Sequence, residues 1–133
     1  MKLTKIKNVK KPLEIHEDNR GFIADIFYKD NISHIAFIKT KKNKIRGNHY
    51  HKKTTQIIFI TKGKLEYWYR KLNSKISKKK LLYEGDIVVT PPFEIHALRT
   101  KNYENEFVVF SKGLRGGQDY EKDTFRVANI IER

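Results

Sequence analysis

The chain has no cysteine, three prolines, one methionine and one tryptophan among its 133 residues. Without cysteine there are no disulfides and no thiolate metal ligands, which fits a reducing compartment; a cytoplasmic location is the expectation. There is no run of about 18 apolar residues, so no membrane-spanning helix is expected. The opening from Met1 to Pro12 is lysine-rich but lacks the apolar block of a secretory leader. Acidic residues are scarce, 15 against 29 basic ones, for a net charge of +14. Such an excess favours anionic partners. The lysines, however, fall mainly at predicted loops and strand ends. No helix carries a basic face, and no basic strand is interleaved with aromatics as a base-stacking platform would be. Nucleic acid is therefore not the expected partner. Small anions are, with the charge speeding their arrival.

The apolar residues that are present come in short segments rich in Ile, Val, Phe and Tyr and bounded by turn residues, a strand signature. Strands are predicted at 22–28, 34–39, 45–51, 55–61, 64–70, 80–84, 86–90, 94–100, 105–111 and 125–130. Gly63 is read as the hairpin turn between two of them. Short strands at this spacing make a sandwich or a barrel, so the expected fold class is all-β, one domain over 1–133. Leu72 to Lys80 reads as a solvated hairpin loop. Lys112 to Gln118 is glycine-rich and carries no phosphate-loop fingerprint; it reads as a connector or a lid over the barrel mouth. Asp119 to Asp123 fits one helical turn.

Three histidines stand out. His49 and His51 are two apart, so on a strand both imidazoles face one way. His96 follows the Gly85-Asp86 turn, a short strand and the Pro91-Pro92 corner. Two hairpins each delivering imidazole to an interior make a site, with Gln56 nearby. Interior barrel positions are normally apolar, and a polar set there must hydrogen-bond, hold a ligand or hold a metal. Arg46 lies three residues before His49 and would face the opposite side of a regular strand. A bulge at Gly47 would turn it toward the histidines; otherwise it is a surface arginine. His16 and His34 read as surface or packing residues.

The series Gly47, His49-x-His51, Gln56, Gly63, then Gly85, Pro91, His96 resembles the two cupin motifs, with Gln56 where glutamate is usual. The resemblance implies a double-stranded β-helix, the jelly-roll barrel. Asp18-Asn19-Arg20-Gly21-Phe22 and Arg46-Gly47-Asn48-His49-Tyr50 are similar to the opening of the RmlC-like sugar-nucleotide cupins. These include the dTDP-4-dehydrorhamnose 3,5-epimerases and the dTDP-4-oxo-6-deoxyglucose 3,4-ketoisomerases. His49, His51, Lys52 and Gln56, with the acidic-aromatic stretch 119–123, resemble the ketoisomerases more closely. The epimerases' single histidine with a distant Asp and Tyr has no placed equivalent.

This resemblance implies an isomerase of a nucleotide-linked 4-keto-6-deoxy sugar, acting through an enediol with His49 and His51 as the acid/base pair and no required cofactor. Arg46, Gln56, His96 and Arg99 are then expected substrate contacts. Arg46, Arg99 and Arg115 are available for the diphosphate. Tyr50, Tyr67, Trp68 and Tyr69 could stack on the base, although strands enrich aromatics for packing alone.

Besides a sugar-nucleotide 3,5-epimerase, two other readings stay open. One is a metal-dependent cupin enzyme with His49, His51, Gln56 and His96 as ligands of one divalent ion such as Zn, Ni, Mn or Fe. An amide in place of the carboxylate weakens such a site. The other is a non-catalytic sugar-binding cupin. A two-fold homodimer is expected because open sheet edges are a liability, with the arm 1–17 as a candidate for exchange.

Overall fold

The computed structural model describes residues 14–114 and 119–132. The first thirteen residues of the expected N-terminal arm and the end of the glycine-rich run, 115–118, with Arg115, lie outside the described residues.

The all-β expectation holds. In chain order the elements are β1 (Glu14–Asp18), β2 (Gly21–Asp25), β3 (His34–Thr40), β4 (Ile45–Tyr50), β5 (Thr55–Lys71), β6 (Lys78–Tyr83), β7 (Ile87–Thr90), β8 (Glu94–Arg99), β9 (Asn105–Lys112), the single turn α1 (Asp119–Lys122) and β10 (Phe125–Arg126). β1 and β2 form a separate ribbon whose residues are exposed apart from the half-buried Ala24. The remaining strands form one curled antiparallel sheet in the order β10-β4-β8-β5-β9-β3, with β6 and β7 also paired to β5. This is the jelly roll.

β5 holds the roll together. Its first half pairs with β7 and β9, and its second half pairs with β6 and β8. One long strand therefore belongs to both layers, and the sheet closes around it. The expected turn at Gly63 does not occur. Instead the β5–β9 register slips by one residue between Ile60 and Lys62. One extra residue reverses the alternation of side chains. Before the slip Ile58 and Ile60 enter the interior; after it Leu65, Tyr67 and Tyr69 enter the same interior. Gly63 has φ +77°, and a Cβ there would collide with the carbonyl oxygen of Glu104. The glycine serves close approach of β5 to the chain before β9 rather than a reversal.

The interior is filled by Ile58, Ile60, Leu65, Tyr67, Leu82, Val88, Phe107 and Val109, all nearly or fully buried. A second cluster, Trp68, Ile95, Ala97 and Ile130, covers the outer face of β5 and β8. Ile130 comes from the C-terminal stretch, where a strand was expected over 125–130. Only Phe125 and Arg126 pair as strand, and the following residues pack on the sheet instead.

Candidate active site

β4 carries His49 and ends one residue before His51, and its irregularity sets their company. Gly47 pairs with Ala97 and His49 with His96, which leaves Asn48 as an extra residue. Gly47 has φ +94° and Asn48 φ +58°, the left-handed conformations that glycine and asparagine tolerate best. The bulge is locked from outside: the backbone N–H of Ile130 donates to Asn48 Oδ1 at 3.0 Å and that of Val127 to its carbonyl at 2.9 Å. One added residue brings Arg46 to the same side as His49, and both line one cavity. The reorientation expected of Gly47 is thus what the strand does. The Arg46 guanidinium is braced by Thr40 Oγ1 at 3.0 Å and the Lys39 carbonyl at 3.1 Å.

The cavity has a volume of about 330 Å³. Its polar wall is Arg46, His49, Gln56, His96, Tyr120 and Arg126; its apolar wall includes Ile58, Leu98, Phe107 and Val109. The three imidazoles converge. Ring centroids are 5.0 Å apart for His49 and His51, 4.6 Å for His49 and His96, and 5.4 Å for His51 and His96. Tyr120 stands 6.4 Å from His49 and 6.3 Å from His51, ring to ring.

Two of the rings have a defined tautomer. His51 Nδ1 lies 2.7 Å from the carbonyl of Asp123, and His96 Nδ1 lies 3.2 Å from the carbonyl of Glu94. A carbonyl only accepts, so each Nδ1 carries a proton, and in the neutral ring Nε2 presents a lone pair. His51 is 2 % exposed, and its buried Nε2 finds no hydrogen-bond partner among the described residues. An unsatisfied lone pair in such a place is poised for a proton, a substrate hydroxyl or a metal ion. Burial, then the neighbouring His49 and His51, push His96 down to about 3. It is therefore neutral at physiological pH and acts as a hydrogen-bonding group rather than a titrating one.

The same three histidines offer nitrogen atoms that all lie within 4.8 Å of one another. With Gln56 on the same wall, they fit the donor chemistry of a zinc-like ion in ligand type. The set holds no carboxylate, so nothing in it offsets the charge of a dication.

Arg99 does not join them. His96 and Leu98 face the cavity, so Arg99 faces out. Its Nε and a terminal nitrogen each lie 2.7 Å from Glu66 Oε1, and the guanidinium lies 5.8 Å from the centre of the Trp68 ring. Burial works against the charge on Glu66, but hydrogen bonds from Trp68, Arg99 and Lys101 outweigh it and bring the carboxyl down to about 2. The expected substrate contact at Arg99 is thus an ion-pair brace on the outer sheet face.

The aromatics follow the packing alternative. Tyr67 is buried with its hydroxyl 2.7 Å from Thr90 Oγ1, Tyr69 stacks on Tyr67, Trp68 donates to Glu66, and Tyr50 stacks on Phe125. Asp18 and Arg20 pair with each other at the tip of the β1–β2 ribbon and do not line the cavity. His16 is exposed on that ribbon beside Glu14.

Tyr120, Asp123 and Arg126 were not singled out as site residues from the sequence. The stretch 119–123 was noticed only as acidic and aromatic. Arg126 arrives because β10 pairs with β4, placing it opposite His49. Its guanidinium is held by Glu121 in two bonds of 2.9 Å.

A jelly roll whose cavity is lined by His49, His96, an amide and two guanidinium groups, with His51 packed beside them, has the RmlC-like cupin fold. The chain belongs to the polysaccharide biosynthesis C-terminal domain family, which it matches over residues 16–114. No curated protein matches it in sequence. Among solved structures it is similar to the sugar 3,4-ketoisomerase QdtA from Thermoanaerobacterium thermosaccharolyticum in complex with TDP, at 18% identity and TM-score 0.74, covering 93% of this chain and 91% of that one. It is similar to a 3,4-ketoisomerase from Helicobacter canadensis at 20% identity and TM-score 0.74, with 90% and 91% covered. It is also similar to the dTDP-4-dehydrorhamnose 3,5-epimerase from Sulfolobus tokodaii at 19% identity and TM-score 0.75, with 94% and 79% covered. Among the described residues no helix is long and apolar enough to cross a membrane.

Proposed function

We propose that the chain is an enzyme, a 3,4-ketoisomerase of a nucleotide-linked 4-keto-6-deoxy sugar. The observation that carries this is the buried, unpartnered Nε2 of His51, which packs against the imidazoles of His49 and His96 that line a cavity holding Arg46 and Arg126. The reaction needs a base for the C3 proton, which is acidified by the C4 carbonyl. Removing it forms a C3–C4 double bond, and the carbonyl electrons move onto O4, which takes a proton. O3 then gives up its proton, the C3 carbonyl forms, and a proton returns to C4. Nothing is oxidised overall, so no redox cofactor is required.

His51 suits the carbon base because its lone pair is already oriented and desolvated. His49, in the cavity wall, suits the transfer between O4 and O3. Gln56 supplies a fixed donor for the charge that develops on the enolate oxygen. Arg46 and Arg126 face the same cavity and suit the two phosphates, with guanidinium forks matched to phosphate oxygens. The TDP named in the QdtA complex is the corresponding ligand of a similar fold.

The metal-dependent reading rests on the mutual proximity of the three histidine donors. One experiment separates the readings. The protein, treated with a chelator and assayed for residual metal, is given dTDP-4-keto-6-deoxyglucose in D2O and the product is followed by NMR. The expected product is the 3-keto isomer, formed at an undiminished rate after chelation. A 4-keto product deuterated at C5 would mean epimerisation, and activity restored only by added metal would mean a metal enzyme.

We also propose a two-fold homodimer with no nucleic-acid partner. β3 ends the sheet, and its outward Ile35 and Phe37 are 62% and 63% exposed, an apolar edge that a second copy would cover. Sedimentation at micromolar concentration should give a dimer; a monomer that persists as concentration rises removes the pairing.

A further inference from the structure

Asp123 is 2% exposed and does not line the cavity. Its side chain nevertheless accepts hydrogen bonds from three successive residues. The carboxylate accepts the backbone N–H of Lys52 at 2.9 Å, that of Lys53 at 3.2 and 3.0 Å, and the Thr54 hydroxyl at 2.7 Å. Its own backbone carbonyl accepts His51 Nδ1–H at 2.7 Å. One residue therefore holds both the ring of His51 and the three residues that follow it in the chain. The carboxylate bonds fix where the carbonyl stands, and the carbonyl fixes which ring nitrogen bears the proton. Asp123 also follows the last residue of α1, the turn that carries Tyr120 to the cavity, and the hydroxyl of Thr124 closes that turn on the Tyr120 carbonyl at 2.6 Å.

We propose that Asp123 is a positioning residue whose carboxylate holds His51 in the Nδ1–H tautomer and so keeps the Nε2 lone pair presented to the cavity cluster. The proposal rests on the reading of His51 as the carbon base. A neutral imidazole has two tautomers, and the partner of one nitrogen decides the state of the other. An Nε2 lone pair buried without a partner gives no help to the Nδ1–H form, so the Asp123 carbonyl must supply the preference. That carbonyl belongs to a segment 72 residues away in sequence, tied to the His51 loop through the carboxylate and, two residues on, through the pairing of β10 with β4. Burial alone would favour the neutral acid, but the bonds from Thr54, Lys52 and Lys53 hold the carboxyl below its usual value. A charged acceptor is thereby maintained. An amide of the same size has one acceptor oxygen in place of two, and it turns an N–H toward donors that already point inward.

The test uses the full chain with Asp123→Asn, read in two ways. The first is kinetics with dTDP-4-keto-6-deoxyglucose. The second is the ¹⁵N spectrum of the histidine rings, in which Nδ1–H and Nε2–H forms have distinct shifts. In the parent protein His51 should show protonated Nδ1 and bare Nε2. In the variant its signals should move toward a two-tautomer average, and kcat should fall about 10- to 100-fold, the scale seen when a histidine's orienting partner is lost, with KM little changed. Thr54→Val removes one carboxylate bond and should fall between the two proteins in both readouts; it carries the test if Asp123→Asn does not fold. A folded variant whose His51 signals match the parent overturns the proposal, whatever its activity. A tautomer shift without loss of kcat instead sinks His51 as the base and leaves the positioning intact.

Discussion

His51→Asn should lower kcat by about 10²- to 10⁴-fold, the range that a positioned general acid or base contributes, while the protein stays folded. Asparagine is close to the imidazole in the part that matters for structure: its side-chain N–H can still donate to the Asp123 carbonyl that His51 Nδ1 now meets at 2.7 Å. What disappears is the Nε2 lone pair. Because that atom has no partner among the described residues, its removal strands no other group, and the cost to stability should be small. KM should change little if, as proposed, Arg46 and Arg126 hold the diphosphate. His49→Asn should lose turnover on a similar scale, because the shuttle between O4 and O3 would fail. Steady-state kinetics beside a melting curve checks both variants. Full turnover by folded His51→Asn would place the base elsewhere. Full turnover by folded His49→Asn would remove His49 from the mechanism.

The second large effect belongs to a residue with no side chain. Gly47→Ala should destabilise the protein by about 3 kcal/mol or more, through left-handed backbone strain of about 1–3 kcal/mol and a steric clash added to it. A Cβ at position 47 would stand 2.8 Å from the His96 carbonyl oxygen and 3.1 Å from Ala97 Cα. Both are backbone atoms of a buried neighbouring strand, so neither can swing aside as a flexible side chain would. Relief requires β4 and β8 to separate, and these are the strands that hold His49 against His96. Activity should therefore fall even at temperatures where the variant remains folded. Urea unfolding together with kinetics measures both losses. A Gly47→Ala protein of unchanged stability and rate would mean that the bulge relaxes freely and does not set the site.

The all-β class was legible in the chain from local rules, while the jelly roll and the meeting of His49, His51 and His96 were legible through the resemblance to the cupin motifs. Period-two alternation puts residues 49 and 51 on one face, and turn residues cut the apolar runs into strands. The Arg46 reorientation was legible as far as Gly47 advertised a bulge. Gly63 was misread for a related reason: a glycine with positive φ serves a hairpin or a close contact equally well. The chain before β9, whose Glu104 carbonyl stands against Gly63, decides between them. Arg99 was readable in hindsight, since counting from an inward His96 turns it outward. What pairs with it there, Glu66 on β5, was not.

Composition and spacing settled that this chain would form short strands and set residues 49 and 51 on one side, since burial and alternation act over a few neighbouring residues. The three-dimensional fold alone decided which nitrogen of His51 carries its proton, why His96 stays uncharged, and that Tyr120, Asp123 and Arg126 share the cavity region. Hydrogen bonding and desolvation depend on distances in space, and the C-terminal partners in these contacts come from chain some 70 residues beyond the histidines they serve.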